Sequence, residues 1–224
     1  MERQFERELQ DLRKNLLKMG TLTEEAIANA VKSLVDRDSD LARKTIECDC
    51  RIDGLEMDLE ERAIRLLALR QPMARDLRFI IKSVRIISCL ERIGDHAVNI
   101  CEKALELNKE PPLKEYIDIP KMTEAAQMML KNALDAFINE DTDLAFRVCK
   151  DDQIIDDLDD RILRELLTYM IEDPNTITRS IRIIQISKYL ERIGDLATNI
   201  AESVIYMVDA RDIRHGAYLE DTSQ

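Results

Sequence analysis

The chain has 224 residues, a formal net charge of −12, 45% hydrophobic and 4% aromatic residues, no Trp, and five each of Gly and Pro. So acidic a chain is not expected to bind nucleic acid, which calls for a basic face. The scarcity of turn formers and aromatics favours long helices over strands.

The N-terminal run MERQFERELQ has no apolar signal core. The first helix is expected over 3–36, with Ala26, Ile27, Ala30, Val31 and Leu34 at helical spacing. A break follows at RDSD, where Ser39 is a good N-cap. A second helix then runs to about Leu69, and a third from about Met73 to Leu107, after the proline of RQPMARDL. The most apolar stretch, FIIKSVRIISCL at 79–90, is interrupted by Lys82 and Arg85 and is too short to span a bilayer. A cytoplasmic location is expected. Cys48, Cys50, Cys89, Cys101 and Cys149 form no C-x-x-C pair and read as free thiols in a reducing compartment.

The segment NKEPPLKEYIDIP at 108–120 carries three prolines and separates two copies of one unit. LERIGDHAVNI at 90–100 returns as LERIGDLATNI at 190–200. Upstream the better register is 103: Asp40-Leu41-Ala42 matches Asp143-Leu144-Ala145, and Asp49-x-x-x-Asp53 matches Asp152-x-x-x-Asp156. The second copy therefore repeats the first, with helices over 120–139, from the Thr142 cap to Ile171, and from Ile177 to Val208. The expected fold is all-α: two tandem, pseudo-symmetric three-helix bundles of long antiparallel helices. The bundles are assigned to residues 1–110 and 111–212, followed by a charged tail at 213–224.

On the third helix, Ile86, Leu90, Ile93, Ala97, Ile100 and Ala104 share the core stripe, as do Ile186, Leu190, Ile193, Ala197, Ile200 and Val204 in the repeat. A second stripe carries oxygen: Glu91, Asp95, Asn99 and Glu102, then Glu191, Asp195, Asn199 and Glu202. On the second helix Asp49, Asp53, Glu56 and Glu60 form another acidic row, matched by Asp152, Asp156 and Asp159. Like charges one turn apart repel by roughly 0.2–0.5 kcal/mol per pair. If the second and third helices lie antiparallel, the rows face each other and offer an oxygen donor set for one or more hard cations. The other reading is a solvated acidic face, and the residues alone leave both open. Gly94 and Gly194 give room for close helix approach or for an ion, while Arg92 and Arg192 are expected to pair with a neighbouring acid rather than reach an anion. His96 and His215 are expected to be exposed, or at best behind the ligands.

The tandem LERIGD-x-A-x-NI runs, each after a helix with Asp-x-x-x-Asp, resemble the PhoU family of phosphate-transport regulators over residues 5–210. QPMARDLR adds to the resemblance in the first copy. The second copy departs from it, with Thr176 and Thr178 in place of Asp76 and Arg78, so a role for that pair is expected in the first bundle only. The resemblance implies a metal cluster on each bundle. Its ligands would be Asp49, Asp53, Glu91, Asp95 and Asn99, then Asp152, Asp156, Glu191, Asp195 and Asn199. The cofactors would be divalent or trivalent metal ions, singly or in multinuclear clusters, of iron, zinc, magnesium or manganese. The resemblance also implies negative regulation of the phosphate-starvation response, by linking the ATPase subunit of a phosphate ABC transporter to a membrane sensor histidine kinase. The protein would be peripheral to the membrane through these partners, and a homodimer is among the assemblies expected. Two alternatives remain: a metal-free scaffold whose acidic faces dock basic surfaces, and a carboxylate-bridged dimetal enzyme. The enzyme is disfavoured because neither histidine follows a Glu by three residues and no catalytic triad or Gly-rich phosphate loop is present.

Overall fold

A computed structural model describes residues 2–211 and 213. Apart from Ile213, the expected charged tail, including His215, lies outside the described residues. Among the described residues, seven α-helices follow in chain order: α1 Glu2–Val35, α2 Ser39–Cys48, α3 Cys50–Arg70, α4 Ala74–Leu107, α5 Asp118–Asn139, α6 Thr142–Glu172 and α7 Ile177–Asp209. A 3₁₀ turn, Pro174–Thr176, joins α6 to α7. The prolines stand where a missing N–H does no harm: Pro72, Pro111 and Pro112 in connections, Pro120 in the first turn of α5, Pro174 in the 3₁₀ turn.

Two local features differ from the sequence reading. The second helix of the first copy is divided at Asp49, where the chain tightens to i→i+3 hydrogen bonds from Asp49 to Ile46 and from Ile52 to Asp49. Its counterpart α6 runs through Asp152 unbroken. The N-caps are Asp38 and Asp141 rather than Ser39 and Thr142. Asp38 accepts from the backbone N–H groups of Asp40 and Leu41, and Asp141 from that of Leu144. A carboxylate meets the positive helix end with full charge, which a hydroxyl one residue later does not.

Helices α1 to α4 pack on one another, α5 to α7 do likewise, and the halves join through α4 against α7 and α1 against α5. Both core stripes of α4 and α7 are fully buried from Ile86 to Ala104 and from Ile186 to Val204, within one core that runs through both halves. Helices α4 and α7 are antiparallel: Lys82 lies over the Tyr206 ring at one end, while Arg182 bonds Glu106 at the other. Gly20 sets the approach of α1 to α5, since a Cβ there would stand 2.5 Å from Leu134 Cδ1.

The connection between halves is tied down. Arg37 donates to the carbonyls of Asn108 and Glu110, Arg179 to that of Pro111, and Lys114 pairs with Glu165. Leu113 and Tyr116 pack against the core.

Candidate functional site

The oxygen-bearing rows meet where α3 lies against α4 and where α6 lies against α7. Glycine permits the approach. A Cβ on Gly94 would stand 3.0 Å from Asp49 Oδ1 and 3.2 Å from Ile52 Cδ1. At Gly194 it would stand 3.2 Å from Asp152 Oδ1 and 2.7 Å from Ile155 Cδ1. Each glycine therefore sits under the first aspartate of the facing Asp-x-x-x-Asp row.

Burial follows the same pattern in both copies. Asp49, Glu91 and Asn99 are half-buried, as are Asp152, Glu191 and Asn199, while Asp53, Asp95, Asp156 and Asp195 are exposed. Each copy thus aims some carboxylates between the helices and leaves others at the mouth.

The carboxylates feel one another. Burial, then Asp53 and Asp95, push Asp49 up to about 6. Glu91 is pushed up to about 7, first by burial and then by Asp95, Glu56, Asp53 and Asp49. Glu56 rises as well, through burial and then Glu60, Asp53 and Asp95. In the second copy Asp152 is pushed up to about 6 by burial, Asp195, Asp156 and Glu191. The buried Thr198 hydroxyl, which makes no well-formed hydrogen bond, gives Asp152 slight relief. Asp156 and Asp195 also rise, burial again first and Glu191 next. Carboxyls held toward neutrality by their neighbours are what a nearby cation would relieve.

The structure thus brings eight of the ten expected ligands into two groups of four. Asn99 and Asn199 lie one helical turn beyond, and among the described residues no hydrogen bond ties their side chains to the carboxylates. Among the described residues, no group of three or more His, Cys, Asp or Glu converges closely enough to hold an ion as the side chains stand. The donor chemistry and the glycine clearance fit a hard cation; the present rotamers do not close around one.

Two other expectations meet a different outcome, and Arg78 finds a partner that the sequence did not indicate. His96 does not stand behind the ligands: it lies in the α4–α7 seam, its ring 5.8 Å from that of Tyr189. Its Nδ1 is buried without a partner, and burial, then Arg192 and Arg92, lower its pKa. Arg192 lies over the Tyr189 ring at 5.9 Å, and neither it nor Arg92 makes an ion pair with a described acid. Arg78 donates from Nε to the Met207 carbonyl, so this residue of the first half caps the end of α7.

Lys188 was not singled out from sequence, yet it pairs with Glu191 of the second group. It stands two residues before the repeated motif, and the i, i+3 helical spacing alone places it beside Glu191.

A profile described as the PhoU domain matches residues 16–104 and again 119–204. The chain belongs to the PhoU family. Among similar proteins, the Phosphate-specific transport system accessory protein PhoU homolog of Pseudomonas aeruginosa is 44% identical over 213 residues, 95% of this chain and 88% of that protein. The PhoU homolog of Aquifex aeolicus is 41% identical over 93% of this chain and 95% of its own length. The PhoU protein of Escherichia coli K12 is 36% identical over 95% and 88%. The crystal structure of PhoU from Pseudomonas aeruginosa superposes with a TM-score of 0.89 at 43% identity, covering 92% of this chain and all of that one. The phosphate transport system regulatory protein PhoU from Streptococcus pneumoniae gives a TM-score of 0.86 at 29% identity, over 93% of this chain and 98% of its own.

Proposed function

We propose that this protein is a metal-binding, non-enzymatic regulator of phosphate uptake that acts in the cytoplasm. In this reading it represses the phosphate-starvation response when phosphate is plentiful. It does so by linking the ATPase subunit of the phosphate transporter to a sensor histidine kinase. The accessory role carried in the names of its relatives supports the phosphate assignment. The observation that carries the metal reading is the pair of matched carboxylate groups seated over Gly94 and Gly194. Asp49, Asp53, Glu91 and Asp95, with Asn99, would hold the ion in the first half. Asp152, Asp156, Glu191 and Asp195, with Asn199, would hold it in the second. A bound cation would supply the positive charge these groups lack and would tie α3 to α4 and α6 to α7. No helix among the described residues is long and apolar enough to cross a membrane, which suits attachment through membrane-bound partners.

A deletion strain carrying a phosphate-responsive reporter tests the regulatory role. In high phosphate the reporter is expected to stay on without the gene and to fall silent when the full chain is supplied. Normal repression in the deletion strain sinks the assignment. The metal reading has its own test: metal analysis of protein purified without chelators, beside the Asp95→Asn, Asp195→Asn double variant. Metal content is expected to drop in the variant while helical circular dichroism is retained. Equal metal content in both proteins removes these residues as ligands.

A further inference from the structure

The two carboxylate groups share a pattern but not a charge. In the second half, Lys188 Nζ lies 2.7 Å from Asp159 Oδ2 and 2.9 Å from Glu191 Oε2. Asp159 is only 3% exposed, and its Oδ1 accepts a hydrogen bond from the Ser187 hydroxyl. The ammonium is therefore held from beneath by a buried carboxylate that is itself fixed, and it leans out onto Glu191. At the matching positions of the first half stand Ser88 for Lys188, Ile87 for Ser187 and Glu56 for Asp159. Ile87 is fully buried and offers no hydroxyl, and the serine brings no charge.

The electrostatics agree with the geometry. Every charge bearing on Asp49, Glu56 and Glu91 is another carboxylate. In the second half, Lys188 pulls Asp156 and, with Arg192, Asp195 back down, while the charges on Asp152 are carboxylates as on Asp49. Five carboxyls gather in each half, Asp49, Asp53, Glu56, Glu91 and Asp95 against Asp152, Asp156, Asp159, Glu191 and Asp195. Among the described residues, only the second five include carboxylates in an ion pair with a cation, Lys188.

We propose that Lys188 is a built-in cation for the second site, so that the two halves bind metal unequally. The first site takes a divalent cation directly; the second must first give up the Lys188–Glu191 pair. The inference rests on the metal-binding reading and adds a rank order to it. A charge-assisted hydrogen bond released on binding lowers affinity by about tenfold or more. One chain would then respond to metal over two concentration ranges, the first half filling while the second still holds its lysine.

The test uses the full chain, freed of metal and titrated with Mn²⁺, with free ion read by electron paramagnetic resonance. Wild type is expected to show a tight and a weak class of sites, about tenfold or more apart. Asp49→Asn with Asp95→Asn should abolish the tight class, and Asp152→Asn with Asp195→Asn the weak one. In the first of these backgrounds, Lys188→Ser should tighten the remaining site by about tenfold. Because the serine variant leaves buried Asp159 with Ser187 alone, Lys188→Gln is made as well; its amide still donates to Asp159 but carries no charge. Circular dichroism and Tm confirm that each variant folds. Two equal classes in wild type, or a second site indifferent to both Lys188 substitutions in folded protein, overturn the proposal and leave the metal reading intact. Absence of Mn²⁺ binding by wild type overturns both.

Discussion

Arg37 and Glu140 stand at the same point of the repeat, in the turn after its first helix, and both hold left-handed backbone, with φ of 56° and 54°. Glycine takes that conformation freely, whereas a side chain there is strained by about 1 kcal/mol. The retention of side chains at both corners is explained by what they reach. Arg37 bonds two carbonyls of the connection, at Asn108 and Glu110. Glu140 pairs with Arg13 and Arg75 of the first half. Identical backbone and opposite charge give two different clamps, each tying one half to chain outside it. Turn geometry is a local matter and survives in both copies, while the choice of partner belongs to the surroundings and does not.

The comparison is broken most forcefully at Arg37. Arg37→Ala removes two charge-assisted bonds to backbone and leaves the corner strained, so we expect a loss of about 2–3 kcal/mol in denaturant unfolding. Arg37→Gly should lose about 1 kcal/mol less, because the strain goes too. The same substitutions should speed tryptic cleavage after Lys109, which lies between the two clamped carbonyls. An unchanged cleavage rate means that the connection is held by Leu113 and Tyr116 rather than by the arginine.

Glu140 should matter less. Arg75 is 70% exposed, so its pair with Glu140 is largely screened, and Arg13 retains the Phe79 and Phe137 rings, 5.0 Å and 5.9 Å away. Glu140→Ala is expected to cost about 1 kcal/mol and Glu140→Gly close to nothing, both read from denaturant midpoints. A Glu140 variant as damaging as its Arg37 counterpart would mean that the corners carry equal weight.

The glycines extend the comparison into the sites. Alanine in a helix interior gains about 1 kcal/mol over glycine, and overpacking a core costs about 1–3 kcal/mol. At Gly94 the added Cβ meets the Asp49 carboxylate at 3.0 Å and Ile52 Cδ1 at 3.2 Å, a looser fit against the buried isoleucine than in the second half. At Gly194 it meets Ile155 Cδ1 at 2.7 Å, and Ile155 is fully buried. Gly94→Ala should therefore be near neutral in Tm and Gly194→Ala destabilising by about 1 kcal/mol. The reverse order would place the tighter helix pair in the first half.

Much of this was legible in the sequence because much of it is periodic. The stripes from Ile86 to Ala104 and from Ile186 to Val204 needed only the helical repeat, and most helix ends fell within about two residues of expectation. The facing of the two acidic rows followed from short connections. What escaped depends on which helices become neighbours. His96 meets Tyr189, Arg78 meets Met207 and Arg13 meets Glu140 across more than ninety residues of chain, and no local pattern encodes such pairs. The break at Asp49 escaped for the opposite reason, since its sequence is as helical as that of the unbroken α6. Lys188 was within reach: setting Ser88 beside it shows a charge that one copy has and the other lacks.

The smallest expected effect is the pH dependence of stability in metal-free protein. Glu91 is raised from 4.5 to about 7, and Asp152 from 3.8 to about 6. Below the unfolded value each group is protonated in both states and costs nothing. As pH rises, the unfolded chain releases the proton first while the folded one retains it, so stability falls until the folded value is passed. Glu91→Gln removes that loss: relative to wild type its Tm should gain progressively between about pH 4.5 and 7 and then level off. Asp152→Asn should show its gain between about pH 3.8 and 6, closing before neutrality, while Lys188 continues to offset the charge on Asp156 and Asp195. The measurement is a pH series of thermal melts on chelator-treated protein, each variant taken as its difference from wild type so that groups common to both cancel. Adding Mn²⁺ at pH 7.5 should raise the wild-type Tm and leave a smaller gain for Glu91→Gln, because the ion and the substitution relieve the same repulsion. Asp49→Asn should follow the Asp152→Asn curve, since both aspartates are raised to about 6. The contrast in pH therefore rests on Glu91, and a Glu91→Gln difference curve that stays flat up to pH 7 would end it.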